Sequence, residues 1–213
     1  PSNIIKRFEN KTHIKVNVAN FSDNETLYAK FRANPHLGYD LIMPSSYFVD
    51  RMRQQGMLEK INPKKIPNYK NIAPIFLHQI YDPTSRYSIP YVWGITGIFY
   101  NDHYFKQGSI KDWHDFLQKR FYHRLLLLND PREVFSMALI ALGYNANDEN
   151  LQHIHQAYTY LKKLSPNIRV FESDASPSIF VDENVNVGMA WNGDVFRGRQ
   201  FNQHLHFVFP QSG

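Results

Sequence analysis

The sequence contains no cysteine and no long hydrophobic run. The absence of cysteine excludes disulfides, thiol nucleophiles and thiolate metal sites. It leaves the cellular compartment open, because a chain of 213 residues can fold without disulfides wherever it resides. No window approaches about 18 consecutive apolar residues, so the sequence predicts no membrane span.

The common catalytic and nucleotide-binding motifs are also missing. The chain has no G-x-S-x-G, no H-E-x-x-H, no G-x-x-x-x-G-K and no G-x-G-x-x-G. We therefore expect a protein that is not an enzyme, with no catalytic residue and no cofactor. The enzymatic alternative is a carboxylate-dependent hydrolase, which would need a second acid across a binding cleft, so that two carboxyl groups flank the bond to be cleaved.

The charge and the histidines suggest neither nucleic acid nor metal. The net charge of +5 includes basic clusters at Lys60–Lys65 and Gln118–Arg124, but neither forms a long one-sided stripe or a reading helix. We expect no nucleic-acid partner. His153 and His155 lie in a helical pattern, where residues two apart point to different sides. We accordingly predict no metal site.

The first half of the chain alternates between helical and strand patterns, which predicts a largely parallel sheet covered by helices. Ser22 and Glu25 fit a capping box, and Gly56 fits a helix stop. Two more strands are predicted within Arg86–Asn101, with a lobe boundary near residue 98, giving a first lobe of residues 1–98. The earlier elements are a helix ending at Phe8, strands His13–Asn20 and Tyr39–Ser45, and helices Asn24–Asn34 and Tyr47–Gly56.

The second half, residues 99–213, is predicted to form another α/β unit. Its clearest element is the helix Glu149–Leu164, in which apolar residues recur at spacings of three and four. The other predicted elements are a short helix in Ile110–Gln118, strands Arg124–Asn129, Ile168–Glu172, Val185–Trp191 and Leu205–Phe209, and helices Pro131–Leu142 and Asp194–Asn202.

Asp130 and Glu133 stand where a buried strand meets a helix. With Pro131 at the first helical position they fit a capping box, and both carboxylates favour the helix dipole. A carboxylate at the end of a buried strand also faces the crevice where α/β sheets bind ligands. Capping and ligand binding are compatible, so the sequence leaves both roles open.

Two other segments also place candidate ligand residues at the end of a predicted strand. One carries the hydroxyl groups of Ser45, Ser46 and Tyr47, which serve either as helix caps or as orienting groups in a pocket. Trp191 ends a predicted strand, where an indole is usually part of the core. Beside Asp130 and Glu133, however, its ring face would attract an organic cation by about 0.5–2 kcal/mol.

Four segments carry a family resemblance: "PSSYFVDRMRQQGMLEKI", "YSIPYVWGITGI", "NDPREVFSMALIALGY" and "NVNVGMAWNGDVFRGRQ". They resemble the periplasmic spermidine/putrescine-binding proteins of bacterial polyamine ABC transporters, in register from about Ile4 to Gly213. The resemblance implies a two-lobed α/β fold of the type II periplasmic binding class, with mixed sheets flanked by helices. It further implies a periplasmic monomer that closes on spermidine or putrescine between its lobes and delivers it to an inner-membrane ABC permease.

The resemblance also implies roles for particular residues. Ser45 and Tyr47 look like first-lobe ligand contacts, and Asp130 and Glu133 look like the carboxylates that receive amine groups. In the second lobe Ser173 and Trp191 look like further contacts, with the indole along the aliphatic chain of the ligand. Binders of the same fold that take ferric ion through tyrosines, or a sugar through stacked aromatics, remain alternatives.

The sequence departs from the family at both ends. Family members begin with a strand that carries an aromatic and polar ligand corner, ahead of the helix that "SNIIKRFEN" resembles. They also continue past "FVFPQSG" with a Trp-x-Asp element, a return to the first lobe and a glutamine contact. We therefore expect the sequence to be a fragment that is incomplete at both ends.

Overall fold

The computed structural model describes residues 2–34, 38–173, 179–180 and 185–213, and it has two compact units. One unit consists of the chain up to Ile61 together with Gln79–Tyr87. The other consists of Asn62–His78 and Ser88–Gly213. The lobe boundary near residue 98 stays a prediction for the whole protein.

The described part of the first unit contains three helices: α1 (Ser2–Thr12), α2 (Asn24–Ala33) and α3 (Ser46–Gln54). A small apolar cluster joins the last two, with Tyr28 from α2 packed against Phe48 and Met52 from α3. The rings of Tyr28 and Phe48 lie 5.6 Å apart, centroid to centroid. Because this cluster is small, most of its stabilisation comes from a few large side chains, each contributing about 1.5–3 kcal/mol.

The ends of these helices agree only in part with the sequence prediction. The capping residue of α2 is Asp23, whose carboxylate accepts from the backbone N–H of Thr26 at 2.6 Å. The predicted cap at Ser22 is therefore wrong by one residue, and the Ser22 hydroxyl instead donates to Asp23. Gly56 has φ +68° just after α3, which confirms the predicted helix stop, since glycine adopts this conformation without strain.

The strands predicted in the first half are largely wrong. His13–Asn20 and Tyr39–Ser45 contain no strand, because neither segment forms a hydrogen-bonded ladder in the described parts of this unit. The N–H of Val16, for example, donates to the Glu9 carboxylate at 2.8 Å. The predicted parallel sheet is therefore not found there. Within Arg86–Asn101 one strand forms instead of two, consistent with Pro90, which cannot donate to a ladder.

The second unit contains a mixed five-stranded sheet with the order β3-β2-β4-β1-β5. β2 runs parallel to β3 and β4, while β1 runs antiparallel to β4 and β5. The strands are β1 (Thr96–Asn101), β2 (Leu125–Leu127), β3 (Ile168–Phe171), β4 (Val187–Trp191) and β5 (Leu205–Val208). The predicted strands of the second half are thus confirmed, with ends that differ by at most two residues.

The described helices of this unit include α4 (Pro131–Ala141), α5 (Leu151–Leu164) and α6 (Asn192–Gly198). α4 and α5 are confirmed, whereas α6 begins and ends earlier than predicted. The short helix predicted near Trp113 is a 3₁₀ helix. The 3₁₀ segments are Pro63–Lys65, Pro67–Asn71, Pro74–Phe76, Trp113–Leu117, Lys119–Phe121 and Ser165–Asn167.

Alternation along the strands gives the sheet two buried faces. Ile98 and Met189 point to the face covered by α4 and α5 and belong to the larger cluster. Phe99 and Ala190 point to the opposite face and join a smaller cluster that includes Val195 of α6. Both faces of the central strands are therefore covered, as expected of a sheet built around parallel strands. Within the described residues, no helix is both long and apolar enough to cross a bilayer.

Candidate functional site

The parallel strands bring the predicted second-half residues to one end of the sheet. β2, β3 and β4 all finish there, and β1 begins there because it runs antiparallel to β4. Asp130 follows β2, Ser173 follows β3, and Trp191 is the last residue of β4. We call this the carboxyl end of the sheet, the position at which α/β sheets bind ligands.

Asp130 is buried and caps α4. Its Oδ1 accepts from the backbone N–H groups of Arg132 at 3.0 Å and Glu133 at 3.2 Å, and Pro131 occupies the first helical position. The capping role that the sequence predicted for Asp130 is confirmed. The helix start therefore fixes a carboxylate at the carboxyl end of the sheet.

Glu133 is held against the sheet by a residue that the sequence analysis did not identify. Its Oε2 accepts from the hydroxyl of Thr96 at 2.7 Å. Thr96 is the first residue of β1 and stands opposite Trp191 in the antiparallel ladder, so the two side chains share the face that carries α4. A carboxylate, a hydroxyl and an indole are thus neighbours, and the half-buried Trp191 packs on the core beneath them.

Burial raises the pKa of Glu133 above its usual value near 4.5. The hydrogen bond from Thr96 opposes this rise, the negative charge of Asp130 adds to it, and the positive charge of Arg132 lowers it slightly. The ionised form of Glu133 is therefore poorly compensated by the protein alone. A cation bound nearby would stabilise that form.

We expect Glu133 to make the unliganded protein less stable as the pH rises. Below its usual pKa the group is protonated in both folded and unfolded chains, and no penalty applies. As the pH rises through the raised folded pKa the group must ionise in the fold, and stability is lost. Urea unfolding of the wild type and Glu133→Gln between pH 4 and 7, about the usual range for carboxyl titration, should show the variant gaining relative stability with pH. Parallel pH profiles would contradict this.

Ser173 lies at the same end of the sheet, just after β3. It is half-buried, and its hydroxyl oxygen finds no hydrogen-bond partner within the described parts of the chain. A buried hydroxyl without a partner has lost water without compensation. A ligand with a donor or acceptor group would supply the missing bond.

In the first unit, Ser45 and Tyr47 are brought together by Asn24 at the start of α2. The Asn24 amide donates to the Ser45 hydroxyl at 3.0 Å and to the Tyr47 hydroxyl at 3.5 Å, and its carbonyl oxygen accepts from the Ser45 N–H at 3.0 Å. Ser45 stands at the N-cap position of α3, but its side chain makes no capping bond there. The Tyr47 ring packs beside Phe48.

The supporting residues were missed because their partners are remote in sequence. Thr96 and Glu133 are 37 residues apart in the sequence. Asn192 accepts a hydrogen bond through its Oδ1 from the N–H of Ile95 at 3.2 Å, and these two residues are 97 positions apart. The one usable signal was a polar residue at the start of an apolar strand, as at Thr96. The sequence does not identify the partner of such a residue.

Residues 3–213 match the model of the bacterial extracellular solute-binding protein family, and the chain belongs to that family. The members of that family are solute-binding proteins of transport systems, not enzymes. The predicted periplasmic-binding-protein fold, with a mixed sheet and flanking helices, is confirmed for the part that the chain covers.

Within that family the chain is similar to polyamine-binding members. It is 40% identical over its whole length to the spermidine/putrescine-binding periplasmic protein of Salmonella typhimurium, and it spans 61% of that protein. The Treponema pallidum lipoprotein Tp0655 (TpPotD) matches with a TM-score of 0.86 at 32% identity, over 99% of this chain and 67% of that one. PotD of Streptococcus pneumoniae, a spermidine/putrescine ABC transporter substrate-binding protein, matches with a TM-score of 0.77 at 30% identity, over 100% of this chain and 65% of that one.

Proposed function

We propose that the complete protein is a periplasmic solute-binding protein that captures spermidine, putrescine or both and delivers the polyamine to an inner-membrane ABC importer. The names of its relatives support this assignment. The observation that carries it is the acidic and aromatic corner at the carboxyl end of the sheet, formed by Asp130, Glu133 and Trp191.

The chemistry of this corner suits an alkylammonium ion. An ammonium group that leaves water must regain hydrogen bonds and a compensating charge, and carboxylate oxygens supply both. An indole ring attracts an ammonium to its face and gives an apolar surface to a methylene chain, so Trp191 suits both parts of the ligand. Each charge-assisted bond contributes about 1.5–3 kcal/mol net, and micromolar affinity requires about 8 kcal/mol, so a few contacts of this kind are sufficient.

The raised pKa of Glu133 makes the site selective for positively charged ligands over neutral ones. Without a ligand, burial disfavours the ionised carboxylate, and a neutral ligand would not relieve that cost. An ammonium favours the ionised form and so couples its own binding to the loss of the proton. The corner therefore discriminates by charge, and we expect affinity for polyamines to increase as the pH rises through the Glu133 pKa.

Hydroxyl groups complete the proposed set of contacts. We assign Ser173 to the ligand because its buried oxygen lacks a partner among the described residues. We assign Ser45 and Tyr47 because Asn24 fixes both hydroxyls at the start of α3. Such groups orient a ligand, while the carboxylates provide most of the attraction.

Calorimetry with matched ligands tests the proposal on the full-length gene product. We expect saturable binding of 1,4-diaminobutane or spermidine, and none of 1,4-butanediol, which has the same carbon chain without the charges. Ferric citrate and a panel of sugars test the alternative ligands of this fold. Equal binding of the diol and the diamine, or a response to iron or sugar only, would contradict a polyamine site.

A further inference from the structure

A second polar cluster lies at the opposite end of the same sheet, where β1 ends and β5 begins. Asn101 and Leu205 are paired in the ladder, and the N–H of Asp102 donates to the carbonyl of His204 at 2.9 Å. His103 follows Asp102 in the turn, with its N–H bound to the Asn101 side chain at 2.9 Å. Two adjacent backbone segments, joined by hydrogen bonds, thus carry the side chains of Asp102, His103 and His204.

Asp102 is the centre of this cluster. One carboxylate oxygen lies 2.8 Å from Nδ1 of His204, and the other lies 2.7 Å from Nε2 of His206. The rings of His103 and His204 are 3.6 Å apart, centroid to centroid. One ring nitrogen each from His103 and His204 and one oxygen from Asp102 all lie within 4.8 Å of one another.

We propose that Asp102, His103 and His204 bind a divalent transition-metal ion such as Zn²⁺. Imidazole nitrogen and carboxylate oxygen are usual ligands of zinc, at about 2.0–2.2 Å, which places tetrahedral ligand atoms about 3.3 Å from one another. The three side chains are exposed, and their ligand atoms, which already lie within 4.8 Å of one another, must approach further to reach that spacing. Three protein ligands leave the fourth position to water.

His206 acts in this site as a positioning residue. It contacts the carboxylate oxygen that is not paired with His204, so it fixes the orientation of Asp102 without occupying the oxygen nearest His204. The His206 ring is itself held by stacking on Tyr100, at 5.2 Å between centroids. Hydrogen bonds of this kind to a metal-binding carboxylate typically change metal affinity by about 10- to 100-fold.

The secondary structure separates this cluster from the other closely spaced histidines. His206 lies on β5 and His204 directly precedes that strand, and the rings of both reach the Asp102 carboxylate. His153 and His155 have the same spacing on α5, where they diverge, and the His153 ring stacks on Tyr144 and contacts Asp148. The sequence-based prediction of no metal site rested on the helical pair, whose side chains diverge.

The test is titration of ZnCl₂ into the untagged, EDTA-treated full-length gene product, followed by calorimetry. We expect one Zn²⁺ per chain in the wild type, and an affinity at least about tenfold lower in His103→Gln, His204→Gln and Asp102→Asn. His153→Gln is the matched control and should bind as the wild type does. Co²⁺ loaded into the wild type should show tetrahedral visible bands that weaken or shift in His206→Gln.

Two results would overturn the proposal. One is the absence of saturable binding at one equivalent of Zn²⁺. The other is an affinity in His204→Gln equal to that of the wild type, with circular dichroism showing both proteins folded. Because the cluster lies at the end of the sheet opposite Asp130 and Glu133, polyamine binding should be unaffected by all of these variants, so failure of one proposal is distinguishable from failure of the other.

Discussion

Replacing Gly188 with alanine is expected to destabilise the second unit by about 3 kcal/mol or more. Gly188 lies in β4 beside Leu126 of β2, and a Cβ atom there would stand 2.2 Å from the Leu126 carbonyl oxygen and 2.7 Å from its nitrogen. Both atoms belong to the backbone of a central strand, so no side-chain rotation relieves the clash. The two strands must separate, and their parallel hydrogen bonds weaken with them.

Chemical denaturation followed by circular dichroism measures this loss. Gly193→Ala, five positions along the sequence and within α6, is the matched control because a Cβ atom there meets no atom within 4 Å. Alanine should be neutral or slightly stabilising at that helical position. Equal unfolding midpoints for the two variants would show that β2 and β4 are not packed as closely as the structure indicates.

The second large effect is expected on binding. Asp130→Asn should weaken polyamine binding by about 1.5–3 kcal/mol, or roughly 10- to 150-fold, because a charge-assisted bond becomes a neutral one. The asparagine oxygen can still accept from the N–H groups of Arg132 and Glu133, so the helix cap is kept. The free energy of unfolding should therefore fall by less than about 1 kcal/mol.

Calorimetry with spermidine on the full-length gene product separates the two roles of Asp130. Glu133→Gln should lose affinity to a similar extent while the unliganded protein becomes more stable at neutral pH, the pattern expected of a residue kept for function. Asp148→Asn provides a matched control, since it changes a carboxylate of the same unit that pairs with His153. Unchanged affinity in both site variants would remove Asp130 and Glu133 from the ligand.

Features that depend on neighbouring residues could be predicted from the sequence. The spacing of apolar residues along α5 predicted that helix, and the Asp130-Pro131 pair predicted the start of α4. The strands of the second half followed from their runs of apolar residues. The position of Asp130 at the carboxyl end of a buried strand followed from the order of strand and helix alone.

Features that depend on a partner remote in sequence could not be predicted. A strand exists only where a second strand completes its hydrogen bonds, so the patterns at His13–Asn20 and Tyr39–Ser45 did not become strands here. The capping box predicted Glu133 as a partner of its own helix start, whereas the fold binds it to Thr96 on β1.

The sequence by itself determined which residues can carry charge, where helices begin and which segments are apolar, because these properties are local. Only the tertiary structure decided which of those groups meet. It placed Trp191 opposite Thr96, and it placed Asp102 opposite His204, through strand register. Register is set by packing across the whole sheet, and that information is spread over residues about a hundred positions apart.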